Sequence, residues 1–240
     1  MTKPYSLAHD PLFYITVAVF ALLTTGLPVG IGQPNFLPLV QTAALFIFLV
    51  ILMRQRLVKQ ALFLMALWTV LQFTTVVTLT WLLGERVERA FHSGFQLRMA
   101  YAEWLYNNAS RPDSFIAHPL ARVLELAGVT LGAVVSGGLL GVWTLVRAVN
   151  LAAFSVGAIL LAFGNSLSAF VTGVPLWSLV TLAGYLITVV LLSEPLLTSN
   201  WNPLYYWRER KRLLLLALGL IVLGLLLEIF LPTPWRTLFR

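Results

Sequence analysis

The sequence contains no cysteine, and only 10% of its 240 residues are charged. The absence of cysteine excludes disulfide bridges, thiolate metal ligands and cysteine nucleophiles. Roughly a quarter of the residues in a soluble domain are charged, so this composition excludes an ordinary soluble fold. The zinc motif H-E-x-x-H, the nucleophile motif G-x-S-x-G and the phosphate loop G-x-x-x-x-G-K-[ST] are also missing. We therefore expect no metal and no cofactor.

Hydrophobic residues make up 59% of the sequence and are concentrated in long uncharged runs, the first of which extends from Leu12 to Met53. A helix needs about 20 apolar residues to cross the hydrocarbon core of a bilayer, where it satisfies its own backbone hydrogen bonds. The sequence therefore predicts an all-α, polytopic integral membrane bundle that forms a single domain over residues 1–240. Seven runs qualify as spans, at about residues 12–31, 36–53, 61–83, 123–146, 151–171, 176–197 and 213–231.

The positions of lysine and arginine predict the orientation of the bundle. Short cytoplasmic loops carry more of these residues than loops on the other side of the membrane. Short segments on one side contain Lys3, Arg54, Arg56, Lys59, Arg147, Arg208, Arg210, Lys211 and Arg212, whereas most basic residues on the other side share one long loop with acidic residues. We expect a cell (inner) membrane protein with a cytoplasmic N-terminus and an external C-terminus. The net charge of +7 is explained by this topology, so we expect no nucleic-acid partner.

The loop between the third and fourth predicted spans is the longest polar segment. Within its residues 85–107, Val87, Phe91, Phe95 and Met99 recur at every fourth position, with charged side chains between them. This spacing predicts an amphipathic helix that lies in the membrane interface and contacts lipid. The alternative is a helix that packs on the outer surface of the protein, and both arrangements are compatible.

Small residues at four-residue spacing indicate close helix packing in the predicted fourth span. Such residues allow two helix backbones to approach each other. Only residues 147–150 separate this span from the fifth, so the pattern favours a tight helix hairpin. A contact between two copies of the chain, or the lining of a substrate path, is the alternative. The residues concerned are Gly128, Gly132 and Ser136 on one line, Gly137 and Gly141 on another, and Gly157 in the fifth span.

Acidic residues within the predicted spans lie near the ends of the spans and not at the centre of the bilayer. Glu125 and Glu228 share the predicted external side, where Arg122 and Arg236 also lie. One interpretation is an outward-facing vestibule lined by these four side chains. The alternative is a set of interfacial carboxylates, each paired with an arginine. A transporter that depends on a buried central carboxylate is disfavoured in either case.

One group of side chains in the long loop is suited to acid–base chemistry. It consists of Glu88, His92, Glu103 and His118. Carboxylates and imidazoles are the groups that most often transfer protons in enzymes. Glu88 and His92 share a helix face, but an isolated Glu-x-x-x-His pair is more often an exposed polar surface than a metal site.

Two basic clusters lie on the predicted cytoplasmic side. Each lysine or arginine close to a membrane surface adds about 1 kcal/mol of attraction to anionic lipid. The clusters therefore predict lipid anchoring, and the alternative is docking of a partner subunit. They are Arg54, Arg56 and Lys59, and then Arg208, Arg210, Lys211 and Arg212.

These features favour a non-enzymatic membrane protein. We expect a permease-type or accessory subunit of a larger membrane complex, in which any solute is lipid-like or weakly polar. Its expected partners are membrane lipids and either another membrane protein or a second copy of the chain. The alternative is a membrane-embedded enzyme that acts on lipid headgroups at the outer interface. That hypothesis requires Glu88, His92, Glu103 and His118 to converge on one cavity.

Overall fold

A computed structural model describes residues 10–107, 109–163 and 167–238. It is 84% helical, and the described part of the chain contains no strand. Seven of the helices are long and apolar enough to cross a membrane, namely α1, α2, α3, α6, α7, α9 and α10. The prediction of an all-α polytopic bundle is confirmed. The helices are α1 (Pro11–Ile31), α2 (Phe36–Arg54), α3 (Val58–Leu83), α4 (Glu85–Glu88), α5 (Gly94–Tyr106), α6 (Pro119–Ser136), α7 (Leu139–Phe163), α8 (Leu167–Gly173), α9 (Leu176–Thr198), α10 (Pro203–Phe230) and α11 (Pro232–Leu238).

Local capping explains where the first and last spanning helices begin. The Asp10 carboxylate accepts a hydrogen bond from the Leu12 amide at 2.9 Å, and Pro11 occupies the first turn of α1. In α10, the Asn202 side chain accepts from two backbone amides, and Pro203 follows it. Both arrangements satisfy amides that have no partner within the helix, because a helix leaves its first N–H groups unpaired.

The two ends of the bundle differ in the segments that connect the spanning helices. We call one the basic end; it contains the turns at residues 55–57 and 137–138 and the connection 199–202. Gly138 lies there beside Leu49 of α2 and Ser193 of α9. The opposite end, which we call the loop end, contains the turn at residues 32–35, α4, α5, the described residues between α5 and α6, and α11.

Helices α7 and α9 form the centre of the bundle. In each of them, 67% of the most apolar segment is buried, compared with 17% in α6 and 22% in α10. Buried side chains of α7 and α9 share one hydrophobic core with those of α1, α2 and α3, including Trp68. The exposed leucines and valines of α6 and α10 face outward, as expected for helices that contact lipid.

The turn between the fourth and fifth spans does not lie at residues 147–150, where the sequence predicted it. The chain turns at Gly137 and Gly138, whose φ angles are 62° and 102°. Residues other than glycine rarely adopt these angles, so the glycine pair determines the position of the turn. Helix α7 continues without interruption through Arg147 and Asn150. The predicted spans 123–146 and 151–171 are therefore replaced by α6 and α7, and residues 164–166 lie outside the described residues.

The last spanning helix starts earlier than predicted. It begins at Pro203 and not near residue 213, so the basic cluster 208–212 forms part of α10 and is not a loop. The first, second, third and sixth predicted spans correspond to α1, α2, α3 and α9. Their predicted ends agree with the ends of these helices to within three residues.

The predicted amphipathic helix 85–107 is divided in two. Helix α4 ends at Glu88, and α5 begins at Gly94, which lies directly against the Glu88 backbone. Phe95 and Met99, predicted to be on the apolar face, are exposed, whereas Tyr101 and Trp104 are buried. The buried face packs on the protein itself, in one cluster with aromatic and aliphatic residues of α7.

Candidate functional site

Arg122 lies at the centre of an ion-pair cluster at the loop end. Its guanidinium donates to the two carboxylate oxygens of Glu125 at 2.9 and 3.1 Å, and to Oε1 of Glu228 at 2.9 Å. It also donates to the main-chain carbonyl of Asp113. One arginine therefore joins α6, α10 and the segment that precedes α6. The ion pair between Arg122 and Glu228 is largely shielded from solvent, since only 1% of the Glu228 side chain is exposed.

A small cavity lies beside the cluster. It measures about 10 Å³ and is lined by Asp113, Arg122, Glu125, Ser178 and Tyr185, together with small and apolar residues of α7 and α9. A space of this size holds one water molecule. The structure thus brings together three of the four residues of the predicted vestibule, but as mutual ion pairs beside a cavity with room for one water molecule.

The fourth predicted vestibule residue, Arg236, lies on α11 and makes a different contact. Its Nη1 donates to the main-chain carbonyl of Trp104 at 2.7 Å, and the residue is buried. Arg236 thereby fastens the last helix to α5.

Arg111 was not identified from the sequence, although it is the most deeply buried cation near the cluster. Its Nε donates to Asp113 at 2.6 Å, and its Nη2 donates to the Ser155 hydroxyl at 2.9 Å. The guanidinium carbon lies 4.9 Å from the ring centre of Trp104 and 5.0 Å from that of Trp177. An arginine over an aromatic face is attracted by the ring quadrupole. The Arg-Pro-Asp sequence resembles a solvated loop, so no local signal reveals this burial.

Tyr101 of α5 also contacts the Arg111 guanidinium, at 5.4 Å from its ring centre. Burial raises the pKa of the Tyr101 hydroxyl well above its usual value, and the negative charge of Asp113 adds to the effect. The side chain therefore remains neutral throughout the physiological range.

A second polar group lies deeper in the bundle and joins four helices. Asn150 of α7 donates to Gln41 of α2 at 2.7 Å and accepts from Gln72 of α3 at 2.8 Å. Gln72 also donates to the carbonyl of Val146, and Gln41 donates to Thr25 of α1 at 2.9 Å. The amide groups are paired with one another, which is typical of polar residues that hold membrane helices together.

Arg147 precedes this polar group in α7 but is exposed on the surface of the helix. It lies eight residues after Leu139, which corresponds to about 12 Å along the axis. Helix α7 has 25 residues and is therefore about 37 Å long, so Arg147 lies within the spanning helix, about one third of the way along it. Glu125, Glu194 and Glu228 each have an arginine partner, but Arg147 has no hydrogen bond or ion pair within the described part of the chain. The sequence prediction had placed Arg147 in a loop.

The glycines of α6 face α7 across the hairpin. A Cβ on Gly128 would lie 2.5 Å from the Thr144 hydroxyl, and one on Gly132 would lie 3.0 Å from Cβ of Leu140. The contact at Gly128 is too short for a larger residue unless Thr144 moves, and the contact at Gly132 is tight, so glycine at these positions allows α6 and α7 to approach closely.

The remaining small residues have separate roles. Gly141 packs against Ala133 and also against α9, whereas Gly157 packs against Thr80 of α3 and not against α6. Ser136 donates to the Gly132 carbonyl and accepts from the Leu140 amide, which closes the turn that Gly137 begins.

The acid–base candidates of the long loop do not lie together. Glu88 is buried in an ion pair with Arg98, whereas His92, Glu103 and His118 are exposed. None of the four lines the cavity beside Arg122. The described residues contain no group of three or more side chains arranged to hold a metal ion.

Both basic clusters lie at the basic end. Arg54, Arg56 and Lys59 are exposed around the turn between α2 and α3. In the second cluster, Arg210 forms an ion pair with Glu194 at 3.2 Å. The others, Arg208, Lys211 and Arg212, are exposed on the first turns of α10.

Comparison with known proteins gives no relative. No protein-family model matches the chain, and no curated protein or solved structure matches it. Function is therefore inferred from the geometry of the bundle.

Proposed function

We propose that this protein is a non-enzymatic subunit of a larger membrane complex, of the accessory or permease type, and that it meets its partner within the bilayer at Arg147. The observation that supports this proposal is an exposed arginine, without a partner in the described residues, in the third turn of a spanning helix. An arginine at the centre of a lone membrane helix costs about 2.5–3.5 kcal/mol on insertion scales. Assembly with a partner that neutralises the charge offsets this cost.

The surroundings of Arg147 favour a helix as the partner. Arg147 belongs to the hairpin of α6 and α7, and α6 is the least buried of the spanning helices. Gly128 of α6 faces Thr144 of α7, so Leu124 lies near the level of Arg147. Leu124 is 62% exposed, and Leu140 of α7 is 49% exposed. This part of the bundle therefore presents apolar surface around a single charge, and a spanning helix with a carboxylate at the same depth complements both features.

A second copy of the chain fits less well than a different protein. Glu125, Glu194 and Glu228 are each already paired with an arginine, and the fourth acidic residue of the spanning helices, Glu209, is exposed in the second turn of α10 at the basic end. A second copy thus offers no free carboxylate at the depth of Arg147. The enzyme alternative gains no support, because its four proposed residues are distributed over separate positions of the loop.

Recovery of the complex from native membranes tests the proposal. The tagged chain and the Arg147→Leu variant are extracted in nanodiscs, and co-purifying proteins are quantified by mass spectrometry. We expect a stoichiometric partner with the wild-type protein and its loss with Arg147→Leu. Arg54→Leu is the matched control, because it removes an exposed arginine at the basic end.

The position of the partner is measured by photo-crosslinking. A crosslinker at Leu140, exposed on the same helix as Arg147, should label a spanning segment with an acidic residue, and one at Leu215 of α10 should not. Recovery of the chain alone, or of the same partner at the same stoichiometry with Arg147→Leu, would refute the proposal.

A further inference from the structure

A groove opens at the loop end between the last turn of α1 and the end of α3. Its volume is about 510 Å³, and its walls include Gly30, Ile31, Leu83, Arg86 and Arg89. Sites for small molecules in proteins commonly measure about 300–1,000 Å³. The groove is therefore large enough for a polar headgroup.

Two arginines give the groove its charge. Arg86 and Arg89 are exposed, and neither makes a hydrogen bond or ion pair within the part of the chain that the structure describes. The neighbouring Glu88 is buried against Arg98, and Glu85 is exposed and does not line the groove. A guanidinium presents paired N–H groups that match the oxygens of a phosphate. Two such groups on one wall favour a phosphate ligand.

Glycines bring the arginines to this position. Gly32, which follows α1, has a φ of 71°, and a Cβ there would lie 3.3 Å from Cβ of Arg89. Gly84 has a φ of 51° and redirects the chain from α3 into α4. A side chain at either position would strain the backbone. The two turns thus hold the arginines next to the points where α1 and α3 end.

The groove continues into apolar surface in the direction of the bilayer. Leu27 and Ile31 of α1 are 64% and 59% exposed, and Leu82 of α3 is 63% exposed. Trp81 is partly exposed at the same level, as tryptophan residues often are at the membrane interface. Charge at the helix ends with apolar side chains below it matches a molecule that has a phosphate and acyl chains.

We infer that this groove binds a glycerophospholipid. Its phosphate lies between Arg86 and Arg89, and its acyl chains follow the exposed side chains of α1 and α3. The inference does not depend on the proposed partner at Arg147, which lies on a different helix.

Lipid retention measures the site directly. The full-length protein is reconstituted in nanodiscs that contain phosphatidylcholine with a minor fraction of phosphatidylglycerol, and bound lipid is determined by native mass spectrometry after release. We expect phosphatidylglycerol to be enriched on the wild-type protein. Replacing Arg86 and Arg89 by Gln should reduce the enrichment roughly 25-fold, about fivefold for each arginine.

The control is a second pair of exposed arginines. Replacing Arg54 and Arg56 by Gln removes the same charge at the basic end, where lipid anchoring is also predicted. This control is therefore read by photolabelling with a photoactivatable phosphatidylglycerol, and labelling of the ends of α1 and α3 should be unchanged. The same probe provides a measurement on the unaltered protein and should label peptides from the ends of α1 and α3. Equal retention by the Arg86 and Arg89 variant, or labelling elsewhere, would overturn the inference. Displacement of the lipid by millimolar inorganic phosphate would likewise reject a lipid in favour of a soluble phosphate.

Discussion

Arg122 of α6 and Glu228 of α10 form an ion pair at 2.9 Å, although 106 positions separate them in the sequence. Both helices pack against α9, and the ion pair connects them across its first turn. Glu125 occupies the remaining side of the guanidinium. Because the group is nearly closed to solvent, the ion pair has a structural role at the loop end.

Removal of the Glu228 charge should destabilise the bundle. In the Glu228→Gln variant, Arg122 keeps Glu125 but loses a charged acceptor, and we expect a loss of about 1.5–3 kcal/mol in the free energy of unfolding. Reversible unfolding in mixed micelles measures the change. Glu209→Gln alters an exposed carboxylate on the same helix and should have little effect. Equal stability of Glu228→Gln and the wild-type protein would contradict the structural role.

Asn150 should be more important than other polar residues of the spans. Asn150→Leu leaves Gln41 without a donor and Gln72 without one of its two acceptors, and unpaired buried polar groups cost about 1–3 kcal/mol. The same unfolding measurement applies. Thr74→Val is the control, because Thr74 is exposed and bonds only to its own helix. The prediction fails if Asn150→Leu and Thr74→Val lower the free energy of unfolding by the same small amount.

Two glycines of α10 should respond oppositely to alanine. A Cβ on Gly224 would overlap the Thr181 hydroxyl of α9, whereas a Cβ on Gly219 meets nothing within 4 Å. Gly224→Ala should therefore destabilise the protein by about 1–3 kcal/mol through overpacking. Gly219→Ala should leave stability unchanged or raise it by up to about 1 kcal/mol, because alanine favours the helix. Thermal unfolding of the two variants distinguishes them, and a shift in the same direction would show that α9 and α10 are not closely packed.

Tyr101 should make stability decrease at high pH. Its pKa is raised in the folded protein, so the neutral form persists after the tyrosine of the unfolded chain, with a pKa of 10.0, begins to ionise. Above that pH the unfolded state binds fewer protons than the folded state, and stability falls as pH rises. Below it, both states hold the proton and Tyr101 contributes no pH dependence. The difference between the wild-type protein and Tyr101→Phe between pH 9 and 11, measured by chemical unfolding, isolates this effect; identical slopes would contradict it.

The number of spans could be predicted because hydrophobic length is a local property. Each segment needs about 20 apolar residues, and this requirement does not depend on the rest of the fold. The close approach of α6 and α7 was also predictable, since Gly128 and Gly132 recur at helical spacing. The position of the turn was not, because the chain is apolar on both sides of Gly137. Polar residues at 147–150 resembled a loop, whereas the left-handed backbone of the glycines decides where the helix ends.

The long loop shows a similar division. Its helical periodicity was visible, but the helix is interrupted between Glu88 and Gly94, and its buried face is the one with Tyr101 and Trp104. A periodic pattern identifies an amphipathic segment without specifying which neighbouring surface covers it. Contact with α7 determines that face.

The sequence by itself determined the membrane-spanning class of the protein and the number of its candidate spans. Only the tertiary structure decided which charges are neutralised. Arg122 is paired across 106 positions, Arg111 is enclosed by aromatic rings, and Arg147 is left exposed. The physical reason is that electrostatic pairing depends on distances in space, which follow from how all the helices pack, whereas insertion into a membrane depends on the hydrophobicity of each segment alone.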